Sequence, residues 1–220
     1  SRRAVAITGG VVLVAFGGMA AGIRTSLPGP GTPAAAAATT VAAEVLPPQA
    51  EFLSNWPRFR GPTGSGVAAT ADAPVKWDEK SGAGVLWKAE VPVAGFNSPV
   101  VWGNRLFLSG GNREKREVLC YDTADGKLLW RRAIANVPGS PPKAPAIPDQ
   151  TGFAAPTMAT DGRRAYVIFA TGDLAAVTFD GVVAWSRHLG VPRNQYGHAA
   201  SLAIWQGTVV VQYDQGDTSP

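Results

Sequence analysis

The chain has 220 residues, a formal charge of +4, and high glycine (26) and proline (18) content. Both residues break helix interiors, which excludes a fold of long helices and favours short strands joined by many turns. The charge is spread thinly, +2 over residues 1–50, +3 over 51–136 and −1 over 137–220, and its densest run, Arg113 to Glu117, includes two acids; the clustered basic face of a nucleic-acid binder is absent.

Residues 1–24 read as a signal peptide or membrane anchor. Ala4 to Ile23 is uncharged over twenty residues. As a helix it would span about 30 Å, the thickness of a bilayer core, so residues 4–23 are the expected membrane contact. Arg2 and Arg3 on the short N-terminal side favour keeping that side in the cytoplasm, which exports the chain beyond Ile23. Twenty residues exceed the apolar core of most cleaved signals and suit a retained anchor. The arginine pair instead resembles a twin-arginine signal, and Ala34–Ala38 and Ala42-Ala43 suit cleavage. Both outcomes stay open, and either makes the rest periplasmic or anchored in the cytoplasmic membrane facing outward. Residues 25–50 are an Ala/Pro/Thr stretch with too few large apolar side chains to offset ordering entropy, and are expected to be a disordered linker.

Residues 51–220 carry an internal repeat. Ser98-Pro99-Val100-Val101-Trp102-Gly103-Asn104-Arg105-Leu106-Phe107-Leu108 lies without gaps over Ser201-Leu202-Ala203-Ile204-Trp205-Gln206-Gly207-Thr208-Val209-Val210-Val211. Ala155 to Gly162, followed by Ala165 to Phe169, is a looser copy between them. Each copy reads as a strand, a tight turn and a second strand, because the turn pairs Gly103-Asn104, Asp161-Gly162 and Gln206-Gly207 tolerate positive φ. A second hairpin follows the first two copies: Val118–Tyr121 to Lys127–Trp130, and Leu174–Phe179 to Val182–Trp185, each reading Asp-Gly, three residues, Trp. Four short strands per unit of about 40–50 residues is the signature of a propeller blade. The expected fold is therefore all-β, a β-propeller of four-stranded antiparallel blades. The expected parts are a closing strand at 85–91, a blade at 97–136, a blade at 153–190 and a half blade at 195–220, with the Pro-rich run Pro138–Pro148 a loop. On this reading the propeller is incomplete and the chain a portion of a longer protein. The repeated Trp is expected to fill the wedge between blades.

Tyr121-Asp122-Thr123-Ala124-Asp125-Gly126-Lys127-Leu128-Leu129-Trp130 resembles the pyrroloquinoline quinone (PQQ) repeat. Trp56-Pro57-Arg58-Phe59-Arg60-Gly61-Pro62, followed by Val85–Ala89 and a Ser-Pro-Val-Val, resembles the opening of exported bacterial PQQ-binding-like propellers. The likeness covers roughly Trp56 to Asp214. It is also similar to the assembly-factor lipoprotein of the outer-membrane barrel machinery, which uses the same repeat; no lipoprotein cysteine follows the apolar run here. The resemblance implies a propeller working through its rim as a non-catalytic binding or scaffold module. The runner-up it implies is a PQQ-dependent oxidoreductase whose catalytic residues lie in a C-terminal part outside this chain.

Sites of chemistry are sparse in the sequence. No nucleophile elbow, P-loop or dinucleotide fingerprint occurs. His188 and His198 are ten apart with no Cys or carboxylate at ligand spacing, so no metal site and no catalytic residue is assigned. Cys120 is the single cysteine, in an apolar run, and is expected to be a buried hydrophobe. The adjacent cysteines that quinone enzymes of this fold place under the cofactor are missing, so no cofactor is evident and PQQ with calcium is unsupported. The starts of the innermost strands point at one rim, making Asn97, Gln195, Tyr196 and His198 candidates for a small polar ligand, a peptide or a protein partner. The competing reading is that these four only bond neighbouring blades.

Overall fold

The computed structural model describes residues 7–8, 11–12, 45–68 and 74–216. In the apolar N-terminal run, β1 (Ile7–Thr8) and β2 (Val11–Val12) pair antiparallel, where a helix was expected. The rest of residues 1–24 and most of the expected linker lie outside the described residues. Among the described residues no helix is long and apolar enough to cross a membrane.

Ten further strands make sheets of four, four and two antiparallel strands, as partial propeller blades do. The first holds β3 (Val100–Trp102), β4 (Arg105–Gly111), β5 (Arg116–Asp122) and β6 (Leu128–Ala133) in sequential order. The second repeats it with β7 (Ala159–Thr160), β8 (Arg164–Ile168), β9 (Asp173–Thr178) and β10 (Val183–His188). The third has β11 (Ala203–Trp205) and β12 (Thr208–Val210). The first strands converge: β7 touches both β3 and β11. The turns that join each first pair carry left-handed backbone at Gly103, Gly162, Gln206 and Gly207. Gln206, at φ 47°, is a non-glycine residue in that region.

The stacking of sheets explains why their third strands are apolar on both faces. Val118 and Cys120 of β5 meet Ala175 and Val177 of β9 in one cluster with Phe107, Met158 and Phe169. The alternate β9 residues, Leu174 and Ala176, turn to a second cluster with Leu202, Ile204, Val209 and Val211. Strand pleating sends successive side chains to opposite faces, so one strand serves two interfaces. Full burial of each large apolar side chain contributes about 1.5–3 kcal/mol.

The repeat tryptophans lock sheet to sheet. Trp130 of β6 donates its indole N–H to the Phe179 carbonyl of the second sheet at 2.8 Å, and its ring covers Gly181, a φ +81° turn residue. Trp87 donates to the Thr123 carbonyl at 2.8 Å and covers Gly126 (φ +71°) in the same way. A ring lying flat on the turn leaves no room for a Cβ, which is the reason both turns need glycine. Trp87 thus occupies the place of an outer-strand Trp from a preceding sheet. Residues 85–91 nevertheless form no strand among the described residues. Their alternating pattern suits a strand, but a ladder requires a partner, and the described residues offer none. The segment covers the far face of the first sheet, where the Tyr121 hydroxyl donates to the Glu90 carbonyl at 2.9 Å.

The short helix α1 (Gln49–Leu53) lies across the hairpin-turn end of the sheets. Its Phe52 ring stands edge-on to Trp102 at 6.0 Å, the Trp102 indole donates to Glu51 at 3.1 Å, and Asn55 accepts from the Gly103 N–H at 2.7 Å. Pro47 then meets Gly162, and Leu46 reaches Gly207 of the third sheet. Beyond the helix, Trp56 makes a two-way bridge to Val101, and Pro57 accepts from the Thr160 N–H at 2.8 Å. One segment therefore runs inside the first strands and touches all three hairpin turns.

Candidate functional site

The four rim residues are divided between junctions. Asn97 spends its amide on Ser109 O (2.7 Å) and Ala154 O (2.8 Å), and accepts from the Ser109 N–H at 3.3 Å. It ties the first sheet to the approach of the second. His198, only 3% exposed, works at the next junction: its backbone N–H donates to Ala170 O, Nε2 lies 3.1 Å from Gly190 O, and the Tyr213 ring stands edge-on at 4.9 Å. Burial pushes its pKa below 6.5, with the Gly190 and Gln212 carbonyls acting against that. Gln195 and Tyr196 are exposed, and Tyr196 contributes only its backbone N–H, to Asn194 Oδ1 at 2.8 Å. Asn97 and His198 therefore bond neighbouring sheets, while Gln195 and Tyr196 are free to meet solvent.

The densest polar cluster was not anticipated from sequence. Asp173, fully buried, forms an ion pair with Arg116 of β5 at 3.2 Å. It accepts hydrogen bonds from Ser140 Oγ and Thr171 Oγ1, both at 2.9 Å, and from His188 Nδ1 at 3.0 Å. Ser140 belongs to the Pro-rich run, which is thereby pinned to the second sheet; Ile147 anchors its other end against Phe153 and Ala170. The signal that leads to this cluster is the hairpin register. An Asp-Gly turn at Asp180-Gly181 places His188 directly opposite Asp173. All four partners hold structure together, and the carboxylate has no face open to a substrate.

The open concavity lies at the opposite, hairpin-turn end. A cavity of about 460 Å³ separates α1 from the β11–β12 hairpin. Leu46, Phe52, Leu53, Ile204 and Trp205 supply an apolar wall, and Arg58, Asp161, Gln49 and Gln206 supply polar groups. Asp161 is already committed, accepting from the Tyr166 hydroxyl at 2.7 Å and from the N–H groups of Arg163 (2.9 Å) and Arg164 (2.8 Å). Desolvation and the Asp161 charge hold the Tyr166 hydroxyl well above its usual pKa. Arg58 is held by the carbonyls of Gly61 (3.3 Å) and Pro62 (2.7 Å). Trp205 is 68% exposed. Each of these features depends on contacts between distant segments, and the repeat alone pointed to the rim instead.

Among the described residues no three side chains of metal-binding type come together. Cys120 is buried, and desolvation pushes its thiol pKa up to about 12, so it is an inert core residue. The arrangement offers a concave, partly aromatic surface at the hairpin-turn end, while the buried Asp173 carboxylate is consumed in joining the first two sheets.

Stacked antiparallel sheets with a Trp docked on the next turn glycine define a protein of propeller-repeat type. Residues 60–218 match the PQQ_2 family model, described as outer membrane protein assembly factor BamB, and the chain belongs to that family. The crystal structure of BamB from Moraxella catarrhalis is similar at 15% sequence identity, covering 60% of this chain and 39% of that one, with a TM-score of 0.43. The chain thus spans well under half the length of that structure. No curated protein matches the chain.

Proposed function

We propose that the chain forms blades of an exported, periplasmic or membrane-tethered β-propeller that acts as a non-catalytic binding or scaffold module for a protein or peptide partner. The observation that carries this reading is where the reactive groups sit. Asp173 is spent on the ion pair that joins the first two sheets, His188 on Asp173 within the second sheet, His198 Nε2 meets the Gly190 carbonyl, and Cys120 is buried in the core. Beside the cavity Trp205 stands 68% exposed, and tryptophan is among the residue types that dominate protein recognition. The family description, an outer membrane protein assembly factor, agrees with this and suggests an outer-membrane barrel polypeptide as the partner to try.

The test uses the full-length protein. It should bind an unfolded outer-membrane barrel polypeptide saturably, and it should show no dye-linked alcohol or sugar oxidation when supplied with PQQ and calcium. Quinone-dependent dye reduction would overturn the reading in favour of an oxidoreductase. A reporter fused after Gln49 should be exported, and its accumulation in the cytoplasm would remove the proposed compartment.

A further inference from the structure

We propose that the cavity between α1 and the β11–β12 hairpin binds a short helical peptide presenting an acidic residue beside an aromatic one. This rests on the binding-module reading above and gives that module its partner chemistry. The chain already contains one occupied copy of the arrangement. The gapless repeat places Trp102 and Trp205 at the same position, immediately before a hairpin turn. Trp102 is 6% exposed, because α1 covers it: the Phe52 ring meets it edge-on and the Glu51 carboxylate accepts its indole N–H. Trp205 is 68% exposed, and its indole N–H has no hydrogen-bond partner among the described residues.

Charge complementarity selects the acidic component. Arg58 lines the cavity, and its guanidinium faces only two backbone carbonyls, with no carboxylate paired to it among the described residues. The one carboxylate in the wall, Asp161, already accepts from Tyr166 and two backbone N–H groups. An incoming carboxylate therefore finds an indole donor and a cation, as favours a charge-assisted hydrogen bond. An incoming ring finds Leu46, Leu53 and Ile204. A space of about 460 Å³ holds an aromatic side chain together with part of its helical turn.

The probe is a fluorescein-labelled peptide with the sequence of residues 48–55, Pro-Gln-Ala-Glu-Phe-Leu-Ser-Asn, added to the full-length protein and followed by anisotropy. Saturable binding should weaken roughly tenfold in Trp205→Ala, an effect of hot-spot size. It should weaken on replacing the peptide Glu by Gln, fall with added salt, and stay unchanged in Tyr196→Ala. Equal affinity in wild type and Trp205→Ala overturns the proposal. So does an absence of peptide binding combined with a loss of several degrees in Tm for Trp205→Ala, which would mean that the chain itself covers this ring. Self-association that disappears in Trp205→Ala would assign the site to a second copy and also overturn it. If the barrel polypeptide still binds Trp205→Ala at wild-type strength while the peptide binds neither protein, the site assignment fails alone. Quinone-dependent oxidation would remove the binding-module reading beneath it.

Discussion

Replacing Trp130 by alanine tests the junction on which the sheet stack depends. The ring is half-buried, lies 6.0 Å from Phe107, packs beside Phe179, and donates to the Phe179 carbonyl at 2.8 Å. Emptying a core aromatic site costs about 3–5 kcal/mol, and partial exposure places Trp130 near the lower end. The lost hydrogen bond adds about 1 kcal/mol, for a total of roughly 3–4 kcal/mol. Gly181 supplies an independent arm. An added Cβ there would lie 2.9 Å from the Trp130 ring, at φ +81°. Gly181→Ala therefore combines a clash with left-handed strain of roughly 1–2 kcal/mol. In the Trp130→Ala background the clash vanishes and the strain remains, so the two changes should be non-additive by about 1 kcal/mol or more. Denaturant unfolding of the full-length protein and the two single and one double variants measures all three terms. A loss below about 1 kcal/mol for Trp130→Ala, or strict additivity, would refute the docking argument, since both require the ring and the glycine not to touch in solution.

Asp173→Asn should destabilise by about 3 kcal/mol, near the lower end for a buried pair, because it leaves the part-buried Arg116 without its counter-charge; thermal melts measure this, and the Pro-rich run should become protease-sensitive as Ser140 loses its anchor. His198, whose folded pKa lies below 6.5, binds its proton more readily when unfolded, so its contribution to stability is present above that value and is lost as pH falls through the folded pKa. His198→Gln should flatten the acid limb of the stability–pH profile, and an unchanged slope below pH 6.5 would count against the buried neutral imidazole. Cys120, with its pKa pushed up to about 12, should not react with a disulfide reagent at pH 8 until denaturant unfolds the protein; stoichiometric labelling of the folded state would contradict its burial.

The hairpins were legible in the sequence because their signals are local. Asp-Gly and Gly-Asn pairs fix where the chain reverses, and a two-residue period fixes which side chains share a face. From these, β3 to β12 and the repeating Trp follow with small errors at their ends. The strand expected at 85–91 shows the limit of such reasoning. Its pattern is right, but a strand is defined by hydrogen bonds to another segment, and no local feature reports whether that partner is present. The rim candidates show the same limit: sequence placed Asn97 and His198 at the starts of first strands, and only packing revealed that the Asn97 amide reaches the Ala154 carbonyl and His198 Nε2 the Gly190 carbonyl.

What the sequence determined by itself is therefore the repeat, its turns and the chemistry available at each position. Tertiary structure alone decided which of those groups are consumed and which stay open. Asp173 meets Arg116 from 57 positions away, and α1, a five-residue helix without a side-chain cap, exists where Trp102 and the hairpin turns receive it. Two tryptophans at the same repeat position, Trp102 and Trp205, end with opposite exposures because one of them packs against that helix and the other borders a cavity. Burial is a property of neighbours brought in from far along the chain, and a repeat constrains only what lies within it.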